Sequence, residues 1–215
     1  DNYCAQQLAG GTAWGLVCDG MGGVNGGRLA SRIATDTMQQ YFARQMQALQ
    51  PGGEKAFMMH GFDVTNRAVY EKAASDPEMM GMGTTGVCAY AGGGFAHIVH
   101  AGDSRAYLYH RGTLRQITRD HSMVQQLVDS GQITREQALL HPQKNLITRA
   151  LGVAANIVPE YNRCEIEEGD ILLLCTDGLT NMVPDEEIAR ILQDTAFFDA
   201  AGVLISRALQ AGGQD

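Results

Sequence analysis

No apolar run in these 215 residues approaches the ~18 that a membrane-spanning helix requires, and no basic start followed by an apolar stretch opens the chain. Neither a span nor a secretory leader is predicted. A surplus of basic residues is also lacking: 16 Lys+Arg against 24 Asp+Glu leave a formal net charge of −8. That balance disfavours nonspecific nucleic-acid binding and attachment to anionic membranes, both of which need a basic surface. Cysteine offers no framework. Cys4, Cys18, Cys88, Cys164 and Cys175 are odd in number and without CxxC spacing, so they read as small buried hydrophobes in a reducing cytoplasm rather than as disulfide partners. GxSxG is absent, and "GMGG" and "GMGTTG" fit neither GxGxxG nor GxxxxGK[ST], which argues against acyl-transfer serines and a nucleotide loop. There is no fixed-period repeat and no low-complexity tract. The length and the 45% hydrophobic content suit one domain over 1–215. It starts at Asp1 rather than methionine and stops just after a glycine pair, which reads as a domain trimmed at both ends.

What the sequence has is glycine, 26 of them, separating short strand-like runs from longer helical ones. "AWGLVCD" (13–19) reads as a buried strand. Residues 26–50 place Leu29, Ile33, Met38, Tyr41 and Phe42 near a 3.6 period, which predicts a long amphipathic helix ended by Pro51-Gly52-Gly53. A second helix is predicted over 53–75, with Phe57, Val64, Ala68 and Tyr70 on its apolar face. Residues 84–118 read as an antiparallel meander turned at Gly92-Gly93-Gly94 and Arg111-Gly112. A polar, partly helical stretch with breaks at Gly131 and Pro142 interrupts it. A strand at 170–177, a helix at 184–193 with Pro184 at its start and acids in its first turn, and a last helix over 195–213 complete the pattern.

The chemistry lies in three aspartates. Asp19 ("CDG"), Asp103 ("AGDS") and Asp177 ("TDG") each follow an apolar run and sit beside glycine or one residue from it. A single Asp-Gly is usually a turn. Three strand ends that converge in packed sheets would bring carboxylates together, and such a cluster needs protons or cations to hold. Hard divalent ions such as Mg²⁺ and Mn²⁺ prefer oxygen donors, and glycine lets a backbone carbonyl approach as one more. The histidines suggest no zinc site. His97 and His100 should point to opposite faces of one strand, while His60, His110, His121 and His141 have no ligand spacing and read as surface or satisfied side chains.

Six stretches in order, "CDGMGGVNGGRLAS", "MGTTGVCAY", "HAGDSRAYLYHRG", "HSMVQQLVDSGQITREQALLHPQKNLITRALG", "LLLCTDGLTNMV" and the terminal "AGGQD", resemble the metal-dependent serine/threonine phosphatases of the PPM or PP2C type, in their bacterial form. The resemblance spans nearly the whole chain. It implies an α+β fold, a four-layer α-β-β-α sandwich of two central antiparallel sheets flanked by helices, with the metal centre at one end. It also implies hydrolysis of phosphoserine and phosphothreonine in proteins that are targets of a Ser/Thr kinase. Two cations, Mg²⁺ or Mn²⁺, about 3.5–4 Å apart would hold a bridging water that attacks phosphorus directly.

Carried over by residue, the resemblance makes Asp19 the carboxylate shared by both ions, with the Gly20 carbonyl on one of them. Asp177 and Asp215 would complete one ion, and Asp1 would join Asp19 and Gly20 at the other. Asp103 with Asp177 matches a third, weaker site. Cys18 and Cys175 would then be core residues beside the ligands. Residues 121–145 resemble the variable flap subdomain beside the centre, and its apolar members are Met123, Leu127, Val128, Ile133 and Leu139. The family's phosphate-binding arginine precedes the first residue here, and Met21 and Val24 stand where relatives have histidines, so no general acid is assigned. A regulatory binding module on the same fold, or a hydrolase of small phosphorylated metabolites, are the alternative readings.

Overall fold

The computed structural model describes residues 1–213, apart from the side chain of Val24. In chain order the elements are β1 (Asn2–Gln7), β2 (Ala13–Cys18), β3 (Gly20–Met21), α1 (Gly23–Gln45), α2 (Glu54–Ser75), β4 (Gly83–Thr84), β5 (Gly86–Gly92), β6 (Phe95–Ala101), β7 (Arg105–His110), β8 (Thr113–Gln116), α3 (Met123–Asp129), α4 (Arg135–Leu139), β9 (Glu160–Glu165), β10 (Ile171–Cys175), α5 (Asp177–Thr180), α6 (Asp185–Asp194) and α7 (Phe197–Gln210). One sheet runs β1-β2-β5-β6-β9 and a second runs β10-β7-β8, with β3-β4 as a short separate pair. Every strand pairing described is antiparallel.

Period-2 alternation sends each strand's side chains to two different layers. From β2, Trp14, Leu16 and Cys18 pack under α1 and α2, where Trp14 stacks on Phe42 with ring centroids 4.0 Å apart. The opposite faces of β5 and β6 offer Val87, Ala89, Ala96 and Ile98, which meet Ala106 and Leu108 of β7 between the sheets. Tyr109, with Ile171 and Leu173 of β10, turns outward onto Ile188, Leu192 and Leu204 of α6 and α7. These three interlayers make the four-layer α-β-β-α sandwich.

The turns follow their residues. Gly93-Gly94 joins β5 to β6, and Arg111-Gly112 joins β7 to β8 with both residues at positive φ, 47° and 85°, the backbone of a type I′ hairpin. The predicted face of α2 is turned. Phe57 is buried as expected, but Met58, Phe62, Thr65, Asn66 and Val69 line the core while Val64, Ala68 and Tyr70 are half-buried. The cause is polar: Asn66 is accommodated inside because its amide donates to the carbonyls of Ala154 (3.0 Å) and Ala155 (3.2 Å) and accepts from the Gly152 N–H (2.8 Å). β1 and β9, both sheet edges, were not anticipated from the sequence.

Residues 121–145 hold α3 and α4 on either side of Gly131, which adopts φ 70°. Neither helix has a buried residue, and Leu139 and Leu140 are exposed. The segment is fastened at its base: His121 N–H donates to the Gly102 carbonyl (3.0 Å), Thr148 N–H to the His121 carbonyl (2.7 Å) and Met123 N–H to the Leu146 carbonyl (2.8 Å).

Candidate metal centre

Strand register decides which carboxylates become neighbours. Asn2 pairs with Cys18 at the end of the β1–β2 ladder, and Asp1 and Asp19 are the residues just beyond that end on the two strands. Cys175 pairs with Arg105 at the end of β10–β7, and two residues beyond that end stand Asp177, opening α5, and Asp103, in the β6–β7 turn. The charges agree with this. The Asp103 carboxyl is pushed up to about 7, first by burial and then by the negative charges of Asp177 and Asp120. Asp177 opens α5, where its Oδ2 accepts from Asn181 Nδ2 at 2.8 Å.

The nearest guanidinium does not neutralise this group. Arg105 is engaged by Asp120 through Nε (2.9 Å) and Nη2 (2.6 Å), and its Nη1 donates to the Tyr107 hydroxyl at 3.0 Å. A half-buried carboxylate facing a second carboxylate, with the Arg105 charge offsetting only part of the repulsion, favours a further cation. The donors are all oxygens. That chemistry fits Mg²⁺ or Mn²⁺ and not a soft ion.

The backbone around Asp19 is fixed from β4. Asp19 N–H donates to Thr85 Oγ1 (2.9 Å), and the Asp19 carbonyl accepts from Thr85 N–H (2.8 Å) and Thr84 Oγ1 (2.8 Å). Thr85 Oγ1 shares a 2.6 Å hydrogen bond with Ser104 Oγ, next to Asp103. Gly20 packs against Gly27 of α1 so closely that a Cβ on Gly20 would lie 2.0 Å from the Gly27 carbonyl oxygen. Only glycine fits. Cys18 and Cys175 are buried beside these ligands and burial pushes both thiols up, Cys175 to about 12. Neither is poised as a nucleophile. Asp215 lies outside the described residues.

Sequence reasoning missed the support structure. "TT" at 84–85 and Ser104 carry it, whereas "GMGTTG" was weighed against the nucleotide-loop patterns and as part of a family stretch, not as a support for Asp19. It also missed a grouping of histidines. His97 and His100 do face opposite ways, since His97 Nδ1 bonds the Tyr161 hydroxyl (2.7 Å) whereas His100 Nε2 bonds the Arg119 carbonyl (2.8 Å). His100, however, lies against His121 and Glu160, residues 21 and 60 positions further along, a separation no spacing rule detects.

A family model described as "Protein phosphatase 2C" matches residues 1–210. The serine/threonine phosphatase stp of Listeria welshimeri is 37% identical over 201 residues, covering 93% of this chain and 80% of that protein. Among solved structures, serine/threonine phosphatase Stp1 from Staphylococcus aureus superposes with a TM-score of 0.90 at 33% identity, covering all of this chain and 84% of that one. The catalytic domain of the phosphatase PstP, solved in complex with two manganese ions, gives 0.82 at 34% identity, covering 100% and 94%. The chain belongs to the protein phosphatase 2C family. It is a serine/threonine phosphatase that uses a divalent metal. Among the described residues, no helix is long and apolar enough to cross a membrane.

Proposed function

We propose that the protein removes phosphate from phosphoserine and phosphothreonine side chains of proteins phosphorylated by a Ser/Thr kinase, using Mg²⁺ or Mn²⁺ at the Asp19 end of the sandwich. The observation that carries this reading is the placement of Asp103 and Asp177 at the ends of the paired strands β7 and β10, close enough that the Asp177 charge, after burial, helps push the Asp103 carboxyl up to about 7. Asp19 would be shared by two ions, with Asp1 and the Gly20 carbonyl on one and Asp177 and Asp215 on the other. Asp103 and Asp177 would take a third, weaker ion.

When bound, such ions supply neutralisation of phosphoryl charge and an acidified water. The chain's own residues supply position. Thr84 and Thr85 grip the main chain of Asp19, so its carboxylate is presented from a fixed point. Phosphoryl transfer asks mainly for placement and charge compensation, so no covalent nucleophile is required. The thiols beside the site, held protonated by burial, do not compete for phosphorus.

Residues 121–145 would act as a flap that selects the peptide around the phosphate. What supports this is a segment without buried residues in its two helices, hinged on Gly102 next to Asp103. Loop-borne segments beside a rigid site alter substrate fit without supplying ligands.

The deciding assay is phosphate release from a phosphothreonine peptide with Mn²⁺ or Mg²⁺, after chelation, and after the ion is restored. Activity should vanish on chelation and return with the ion. Turnover that persists in chelator would overturn the reading.

A further inference from the structure

His100 is fully buried on β6, and its two ring nitrogens have different fates. Nε2 donates to the Arg119 carbonyl at 2.8 Å, whereas Nδ1 is sealed from solvent without a hydrogen-bond partner. A carbonyl only accepts, so the proton sits on Nε2 and Nδ1 presents a bare lone pair. An orphaned acceptor of this kind in the interior is costly and calls for an explanation. Beside it stands His121, stacked with ring centroids 4.5 Å apart. His121 Nδ1 accepts from the Gly102 N–H at 3.3 Å, so the neutral ring carries its proton on Nε2, which faces Glu160 Oε2 at 3.4 Å. Ligand atoms of the three residues lie within 4.8 Å of one another.

We propose that His100, His121 and Glu160 form a second metal site, selective for a zinc-class transition cation and separate from the aspartate centre. Two imidazoles and one carboxylate are a donor set of borderline softness that suits Zn²⁺ and its neighbours, while Mg²⁺ keeps to all-oxygen sites. The net charges are the ones a metal needs, and His121 must release the Gly102 N–H and move its proton to Nδ1 before Nε2 can ligate. Burial holds both imidazoles below the ordinary range, His121 down to about 4 with His100 and Arg149 adding to the effect. Burial works to raise Glu160, but the Asn162 hydrogen bond and the histidines outweigh it and keep the carboxylate ionised.

Two features set the terms of binding. The rings are only 12° from parallel, so one must turn about its Cβ–Cγ bond before both lone pairs converge on one ion. Arg149 Nη1 lies 3.3 Å from His121 Nε2 and 3.3 Å from the Val158 carbonyl. This exposed guanidinium fills the cation's place and leaves when the ion enters. The ion would then tie β6, the first residue of the 121–145 segment and the start of β9 into one knot.

The test is a titration of the chelator-treated protein with Co²⁺ and Zn²⁺ in excess Mg²⁺, read by the visible absorption of tetrahedral Co²⁺ and by melting temperature. It is run on the wild type and on Asp19→Ala, which disables the aspartate centre. A tetrahedral Co²⁺ signal displaced by Zn²⁺ is expected in both. H100Q and E160Q should each weaken it by at least about 100-fold, the upper end of what outer-shell changes alone cost. R149A should tighten it by about 10-fold, in line with removing a competing charge. A signal that survives H100Q and E160Q, one lost in Asp19→Ala, or no tetrahedral signal at all would overturn the proposal. Because H100Q alters a fully buried position, E160Q at the half-buried carboxylate keeps the test decisive.

Discussion

Asp19 and Thr85 hold each other through reciprocal hydrogen bonds: the Asp19 N–H donates to Thr85 Oγ1 at 2.9 Å, and the Thr85 N–H donates back to the Asp19 carbonyl at 2.8 Å. Thr85 Oγ1 is also 2.6 Å from Ser104 Oγ. One buried hydroxyl thus connects the end of β2 to the turn that bears Asp103, across the two sheets.

Thr85 is therefore a positioning residue, and its removal should appear first in metal dependence. Thr85→Val keeps the shape but leaves the Asp19 N–H without its acceptor, at a cost of about 1–3 kcal/mol. The Mn²⁺ concentration for half-maximal activity should rise about 10–100-fold, as for other groups that orient a ligand, with a smaller loss of kcat at saturating metal. Thr85→Ser, which restores the hydroxyl, should recover most of it. A normal Mn²⁺ titration in Thr85→Val would show that the hydroxyl does not position Asp19.

How much of this was legible depended on whether a residue's role is local. The Asp19, Asp103 and Asp177 strand ends could be read because an apolar run beside Asp and Gly is a short-range pattern. The α1 helix and both hairpins were legible for the same reason. β1 ("NYCAQQ") and β9 ("EYNRCE") were not, since these edge strands, the first largely exposed and the second mostly half-buried with polar side chains, lack apolar alternation. The face of α2 was misjudged because Thr65 and Asn66 are polar yet buried, and the partners that make Asn66 tolerable lie 86–89 residues away. The His100–His121–Glu160 grouping is likewise created only by the fold.

Asp103 predicts an inverted stability effect in the metal-free protein. Burial, then the Asp177 and Asp120 charges, push its carboxyl up to about 7 from a usual 3.8, so the native state should bind more protons than the unfolded chain between those values. Stability from this group is full below pH 4 and falls as pH rises through 7. Asp103→Asn should remove the penalty. A displacement of about 3 pH units bounds the gain at about 4 kcal/mol, and water entry will reduce it. The metal-free variant should melt higher than wild type at pH 8, should show no advantage at pH 4, and should lose its advantage when Mn²⁺ is added. An unchanged melting temperature at pH 8 would show that the carboxylate is not electrostatically strained.

Asp19→Ala and Asp177→Ala should each abolish metal-dependent hydrolysis, by about 10³-fold or more if metal charge compensation carries the chemistry. The fold should survive, because each change also relieves carboxylate repulsion. Circular dichroism and activity measured on the same preparation check both halves. Near-normal turnover in Asp19→Ala would remove it from the centre.

Gly27→Ala tests the seat of Gly20 from the helix side. A Cβ at Gly27 would lie 2.5 Å from the Gly20 carbonyl oxygen, and the reciprocal change meets the Gly27 carbonyl at 2.0 Å. Both obstacles are backbone, so neither can be relieved by a rotamer change. Destabilisation of about 1–3 kcal/mol or more is expected from such overpacking, together with weaker Mn²⁺ activation. Gly202→Ala, on α7 with open space around its Cβ position, should be neutral or slightly stabilising and serves as the control. Equal melting temperatures for the two variants would contradict the close packing.

The 121–145 segment separates recognition from chemistry. Its helices bury nothing, Leu139 and Leu140 stand exposed, and its base is bonded to Gly102 beside Asp103. It can thus change what reaches the carboxylates while leaving them in place. Replacing the exposed residues between Val128 and Thr134 should lower kcat/KM for a phosphothreonine peptide by about 10-fold or more, a transition-state loss of about 1.4 kcal/mol. A small aryl phosphate, too short to reach the segment, should be hydrolysed within about two-fold of the wild-type rate, with the Mn²⁺ requirement unchanged. Equal losses on both substrates would mean that the segment supports the centre itself, and a raised Mn²⁺ requirement would locate that support at the Gly102–His121 hinge.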